Sequence, residues 1–126
     1  IITGKTSELL GASSALLLNA LKHLAGIADD VRMISPTVLE PVCKLKTGAL
    51  GHRNPRLHTD EVLVALSICA ITDENAQKAL DKLPELKNCE VHTSVILSQT
   101  DERVFRRLGV NLTQEAKYQT SKLYHQ

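Results

Sequence analysis

The densest group of polar side chains lies in residues 51–58, directly ahead of a predicted helix. It contains two histidines, two arginines and an asparagine. Arg56 would neutralise the oxygens of a phosphate or carboxylate, and His58 would donate a hydrogen bond or transfer a proton. A helix N-terminus favours the same anions. Asp60 and Glu61 would repel an anion there, so a solvated loop is the alternative interpretation.

A second candidate segment has the sequence Gly-Lys-Thr-Ser at 4–7, between a predicted strand and a predicted helix. Those residues resemble the end of a phosphate-binding loop, whose backbone amides wrap a phosphate. The first glycine of such a loop would precede Ile1. The alternative is a turn at Gly4, with Thr6 or Ser7 as the helix N-cap. The candidates that this segment adds are Lys5, Thr6 and Glu8.

The spacing of the residues supports a metal site or a hydrolase less than it supports an anion-binding site. A metal site would use His52, His58 and Asp60, with His92 as a further ligand, but neither HExxH nor paired CxxC spacing is present. We therefore expect no metal, and we expect His92 to hydrogen-bond locally at a sheet surface or core edge. The sequence also lacks the GxSxG motif of a nucleophile elbow, which makes an independent hydrolase the weakest alternative.

Composition narrows the class of protein. The chain has 126 residues, 43% of them hydrophobic, which predicts one domain with an aliphatic core. A net charge of +1 and 2% aromatic residues argue against binding to nucleic acids or membranes. No segment is apolar enough for a membrane span or a signal peptide. The three widely spaced cysteines are typical of a reducing compartment, so we expect a cytoplasmic protein.

The candidate residues lie in a sequence that predicts alternating strands and helices. Pro41 is expected to divide a helical stretch, and three Thr-Asp-Glu triplets are expected to cap helices. The helix after Thr59 is almost wholly apolar over 62–71, which predicts deep burial. The predicted elements are a strand ending at Thr3, a helix over 7–25 with Gly26 as its C-cap, a strand over 31–34, two short helical pieces within 36–47, helices starting at Thr59, Thr72 and Thr100, and strands over 89–97 and 110–113.

This order predicts an α/β fold, in which helices cover both faces of a sheet as a three-layer αβα sandwich. Residues 1–126 are expected to form a single α/β domain, with the polar tail 115–126 docking on another surface. Because the sequence starts at Ile1 and not at Met, we expect a fragment of a longer protein.

Four segments together resemble the bacterial family called domain of unknown function 1846, also named uncharacterised protein family 0371. They are residues 2–9, 52–58, 91–97 and 107–111, and the resemblance extends over essentially all of the chain. It implies the carboxyl-terminal domain of a longer multidomain protein, with a three-layer fold similar to that of cytidine deaminases. Zinc deaminases carry their ligands at two helix starts, but residues 5–8 and 35–38 provide none, so the resemblance implies the topology without zinc.

These observations predict an accessory domain of a larger cytoplasmic, nucleotide-handling protein. It would complete an interdomain site for a small phosphorylated or carboxylate ligand, act with other domains of the same chain, and form a homo-oligomer. The alternative is a purely structural or oligomerisation domain without a ligand; the cofactor and the question of enzyme activity stay open. The candidate ligand-binding residues are Lys5, Thr6, Glu8, His52, Asn54, Arg56 and His58, of which His58 is the catalytic candidate.

Overall fold

Five α-helices, one 3-10 helix and one pair of strands form the regular structure of the residues that the structure describes. The computed structural model describes residues 2–7 and 10–115, and the chain divides into two compact units, Ile1–Leu83 and Pro84–Gln126. The mixed α/β class predicted from the sequence is confirmed. The elements are α1 Ala12–Ala25, α2 Pro36–Thr47, α3 Thr59–Cys69, α4 Glu74–Leu80, a 3-10 helix Leu83–Leu86, β1 Glu90–Thr93, α5 Gln99–Arg107 and β2 Asn111–Gln114.

The core of the first unit is aliphatic, as the composition predicts. α1 packs against α3 and α4, and α2 packs against α3. Small alanines on α4 allow the close approach of the larger side chains opposite. The core side chains with at most 1% exposure are Leu17 and Leu21 of α1, Val62, Ala65 and Leu66 of α3, Ala76 and Ala79 of α4, and Leu57 of the preceding loop.

The first helix begins later than the sequence predicts. α1 starts at Ala12 with Gly11 as its N-cap, so neither Thr6 nor Ser7 caps it, and that expectation is wrong. The cause is an extended segment before the helix, where Leu10 forms a parallel β-bridge with Leu57. The predicted C-cap is confirmed, because Gly26 adopts a left-handed φ of 70° after the last turn.

Two predictions for residues 31–47 are corrected. Residues 31–34 form no strand, although Met33 and Ile34 are buried there. Instead of two helical pieces, α2 is one helix with Pro41 inside it. Pro41 and Thr37 are both exposed, so water can bond the Thr37 carbonyl that a proline ring leaves without its helical donor. The predicted start is confirmed: the Ser35 hydroxyl accepts from the Thr37 N–H at 3.2 Å.

The three Thr-Asp-Glu triplets lie at helix starts, but their threonines are not the caps. The N-caps are His58 for α3, Asp73 for α4 and Ser98 for α5. Asp73 accepts from Asn75 N–H at 2.8 Å, which is the type of bond expected of a cap. Thr59 is the first helical residue of α3 and is fully buried. The triplets therefore indicate helix starts correctly while misplacing each cap.

The second unit contains the parallel pair of strands. β1 and β2 pair from Glu90 with Asn111 to Thr93 with Gln114, and α5 connects them in sequence. β1 is shorter than the predicted strand over 89–97, since the chain leaves the ladder after Thr93. His92 lies exposed on β1, as predicted, and its Nδ1 is 2.8 Å from the Thr113 hydroxyl oxygen.

Over residues 2–7 and 10–115, none of the helices is both long enough and apolar enough to cross a bilayer.

Residues 2–7 run beside α1 and not into its N-terminus. The side-chain amide of Asn19, in the third turn of α1, donates to the Thr3 carbonyl at 2.9 Å. A Cβ atom on Gly4 would lie 2.5 Å from the Ala12 carbonyl oxygen and closer still to the Leu16 amide nitrogen. Only a glycine can therefore approach the helix backbone this closely.

Replacing Gly4 by alanine should destabilise the chain, because the new methyl group would meet helix backbone that cannot yield. We expect Gly4→Ala to lower the free energy of unfolding by about 1–3 kcal/mol in urea denaturation. The matched control is Gly11→Ser, since a Cβ there would make only an ordinary contact, 3.7 Å from the Leu57 carbonyl oxygen, and a serine N-cap is favourable. Equal stability of the two variants would refute this packing.

Candidate functional site

A buried lysine stands at the end of α2. Lys46 is 2% exposed, and its Nζ donates to the Arg56 carbonyl oxygen at 2.6 Å and to the Glu61 carboxylate at 2.9 Å. A buried ammonium group is costly unless it is paired and hydrogen-bonded. These two bonds therefore fix the loop and the start of α3 against α2.

Glu61 is the acceptor on which this arrangement converges. Its Oε1 accepts from Lys46 Nζ and from the His58 backbone N–H at 2.8 Å, and it lies 3.2 Å from His58 Nδ1. A glutamate three residues after the N-cap commonly reaches back in this way to satisfy a helix-terminal donor. The carboxylate thus holds both the backbone and the ring of His58.

The environment of Glu61 lowers its pKa below the ordinary value of 4.5. Burial by itself would raise the pKa, but the hydrogen bond from the His58 backbone and the charge and hydrogen bond of Lys46 outweigh it. A carboxyl with a depressed pKa stabilises the fold above its unfolded pKa, and this contribution is lost as the pH falls through the folded pKa. The contact is therefore complete at neutral pH and fails only in acid.

The loop ahead of α3 is held on a second side by residues near the start of the chain. The Arg56 side-chain Nε donates to the Ser7 carbonyl at 2.6 Å, and Asn54 Oδ1 accepts from the Arg56 N–H at 3.0 Å. The next residue, Leu57, is fully buried, and its carbonyl accepts from the Ser14 hydroxyl at 2.8 Å. Arg56 is thus positioned between residues 5–7 and the end of α2.

The structure brings some of the predicted site residues together. Asn54, Arg56 and His58 lie in one loop that is held by hydrogen bonds. The Arg56 side chain contacts Ser7, and Thr6 and Lys5 are the two residues that precede Ser7 in the chain. No bond joins Lys5 or Thr6 to His58 in the described part of the chain. His52 is exposed, and its backbone N–H donates to the Lys46 carbonyl at 2.7 Å. Glu8 lies outside the described residues.

Donors at the start of α3 are partly used by its own acidic side chains. Besides the bond from His58 to Glu61, the Glu61 N–H donates to Asp60 Oδ1 at 2.8 Å. An anion here would therefore depend on side chains of the loop more than on the helix terminus. The repulsion expected between an anion and the two acidic side chains is also reduced. Lys46 compensates the charge of Glu61, so only the charge of Asp60 would still repel an anion.

The Cys43 thiol is not activated as a nucleophile. Burial raises the pKa of the Cys43 thiol, and nearby Lys46 does not offset it, so the thiolate needed for a nucleophile is disfavoured. Among the residues that the structure describes, no three histidine, cysteine or acidic side chains are grouped closely enough to hold a metal ion.

Sequence reasoning missed Lys46 and treated Glu61 only as a source of repulsion. The spacing of Glu61 three residues after His58 is a recognisable sign of the backbone contact. Lys46 gives no such sign, because its partner is 15 residues away and a lysine in the last turn of a helix is ordinarily solvated.

Comparison with known sequences agrees with the family resemblance of the four segments. Residues 1–124 match the family model described as Domain of unknown function DUF1846, C-terminal. The UPF0371 protein of Corynebacterium diphtheriae is 61% identical over 124 residues, which cover 98% of this chain and 25% of that protein. The UPF0371 protein of Clostridioides difficile is 49% identical over 125 residues, covering 99% and 25%. The chain thus spans about a quarter of the length of these curated relatives.

A double-mutant cycle tests whether Lys46 and Glu61 act as one unit. Lys46→Met should lower the free energy of unfolding by about 2–4 kcal/mol, since it leaves a half-buried carboxylate without its charge partner. Lys46→Met combined with Glu61→Gln should cost less than the two single losses added together. The matched control is the exposed Arg106–Glu102 pair at 3.2 Å, whose coupling should be much smaller. Additive effects of Lys46→Met and Glu61→Gln would show that the two side chains are not coupled.

Proposed function

Because the chain belongs to the family of DUF1846 C-terminal domains and matches a quarter of the length of its UPF0371 relatives, we propose that it is an accessory domain of a larger bacterial cytoplasmic protein. The domain contributes to an interdomain site for a phosphate- or nucleotide-type ligand. The observation that carries the proposal is the 2.6 Å bond from Arg56 to Ser7, which joins the two segments with candidate anion-binding residues.

The roles follow from the chemistry of the side chains. Lys5 and Arg56 neutralise oxygens of a phosphate or carboxylate, and the His58 ring donates a hydrogen bond or transfers a proton. Glu61 orients that ring through its contact with Nδ1 at 3.2 Å. The further residues proposed to contact the ligand are Thr6, Glu8, His52 and Asn54.

Local charge supports an anion over a cation or a neutral ligand. The whole chain has a net charge of only +1, yet Arg53, Arg56 and two histidines lie within residues 51–58. Arg53 and His52 are exposed, so they can approach a ligand without first being released from a buried position. Lys46 removes the effect of one of the two nearby carboxylates by pairing with Glu61.

We also propose the finer fold that the family resemblance implies, a single-domain three-layer αβα sandwich of cytidine-deaminase-like topology without zinc ligands. Two observations support it. β1 and β2 are parallel and are connected through a helix, as in the repeating unit of such sheets. The bridge between Leu10 and Leu57 is also parallel.

A structural or oligomerisation role without a ligand is the second candidate function. It is favoured by large apolar side chains that are exposed on the first unit, including Leu45 at 54% and Leu50 at 59%. Such exposure is typical of a surface that another part of an assembly covers. A homo-oligomer of the whole protein would fit this role.

Thermal unfolding of the full-length protein with added anions tests the proposed site. Inorganic phosphate, pyrophosphate, a nucleoside triphosphate and citrate should be compared, because a ligand that binds the folded state raises the melting temperature with concentration. We expect at least one phosphate compound to stabilise the protein and Lys5→Ala and His58→Gln to reduce that shift. Arg103→Ala, on the exposed face of α5, is the matched control and should keep it. Absence of any stabilisation would overturn the proposed function.

A further inference from the structure

One face of α3 is apolar and uncovered. Val64 is 61% exposed and Ile68 is 48% exposed, and Ile71, just after the helix, is 81% exposed. Val62 and Leu66, on the opposite side of the same helix, are fully buried. The almost wholly apolar sequence of the helix predicts deep burial on all sides. Within the part of the chain that the structure describes, only the side with Val62 and Leu66 is covered.

The exposed residues are spaced so that they form one stripe. Val64 and Ile68 are four residues apart and therefore adjacent on the surface of α3, and the exposed Ile71 follows in the turn after the helix. We refer to Val64, Ile68 and Ile71 as the α3 stripe. Among the described residues, every exposed large apolar side chain belongs to the first unit, the others being Ile2, Leu45 and Leu50. Isolated apolar residues are common on surfaces, but two adjacent exposed apolar residues on a helix, with a third just beyond its end, mark an interaction surface.

We propose that the α3 stripe is the surface on which the preceding domains of the full-length UPF0371 polypeptide dock. Two observations identify this occupant. The family model describes a C-terminal domain, and the chain covers only 25% of its relatives, so about three quarters of such a polypeptide lies outside this domain. A segment of that size tethered to the domain has a high effective concentration at any complementary surface.

The position of the α3 stripe relates it to the candidate site. Glu61 lies three residues before Val64, one turn earlier on the same side of the helix. A domain docked on the stripe therefore lies beside Glu61 and the His58 ring that it holds. This proposal deepens the proposed function and rests on it in part, because an interdomain site needs an interface next to its ligand-binding residues.

Cysteine labelling of the full-length protein tests the docking without any ligand, so its failure is distinguishable from that of the proposed function. Val64→Cys and Ile68→Cys are made in a Cys89→Ser background, since Cys89 is half-exposed while Cys43 and Cys69 are buried. Each variant reacts with a maleimide under native conditions and in urea. Lys78→Cys, on the exposed polar face of α4, is the matched control.

We expect the α3 stripe variants to react at least about tenfold more slowly in the native protein than in urea, while Lys78→Cys reacts at similar rates in both. The protection should persist when sedimentation shows the protein diluted to a monomer. Rapid labelling of the native stripe would overturn the proposal. Protection that disappears on dilution to the monomer would also overturn it, and would assign the surface to a second copy of the chain.

Discussion

The ammonium group of Lys46 is buried at the end of α2, and the arrangement of residues 54–61 follows from what that charge requires. Burying an ammonium group is costly unless hydrogen-bond acceptors replace the lost water. The structure supplies one main-chain acceptor, from Arg56, and one carboxylate, from Glu61. The first fixes the loop and the second fixes the start of α3, so a single side chain sets the relative position of three segments of the first unit.

The candidate site is a consequence of this constraint. Because Glu61 is held by Lys46, it can accept from the His58 backbone and lie against the ring at the same time. The same lysine holds the Arg56 carbonyl, and the Arg56 side chain bonds to Ser7. The basic loop is thus ordered by contacts that leave His52 and Arg53 exposed. A positioned loop with exposed cationic groups is the usual form of a site for small anions.

Sequence patterns predicted the local structure better than the contacts between segments. Serine and proline at 35–36 predicted the start of α2, and Gly26 predicted the end of α1, because caps depend on a few adjacent residues. The later start of α1 could not be predicted, since it depends on the bridge from Leu10 to the distant Leu57. The apolar sequence of α3 could not show which of its faces would stay uncovered. The contact between Lys46 and Glu61 could not be predicted either, because the two residues are 15 positions apart in the sequence.

The charge of Lys46 holds Glu61 ionised and in place, and the most direct measurement of this effect is an NMR titration of the Glu61 side-chain carboxyl carbon. In the native chain its pKa should lie below the ordinary 4.5, because Lys46 and the His58 N–H stabilise the anion. In Lys46→Met the pKa should rise, since burial then opposes ionisation with less compensation. A Glu61 pKa that is the same with and without the lysine would show that Lys46 does not hold the carboxylate in its ionised form.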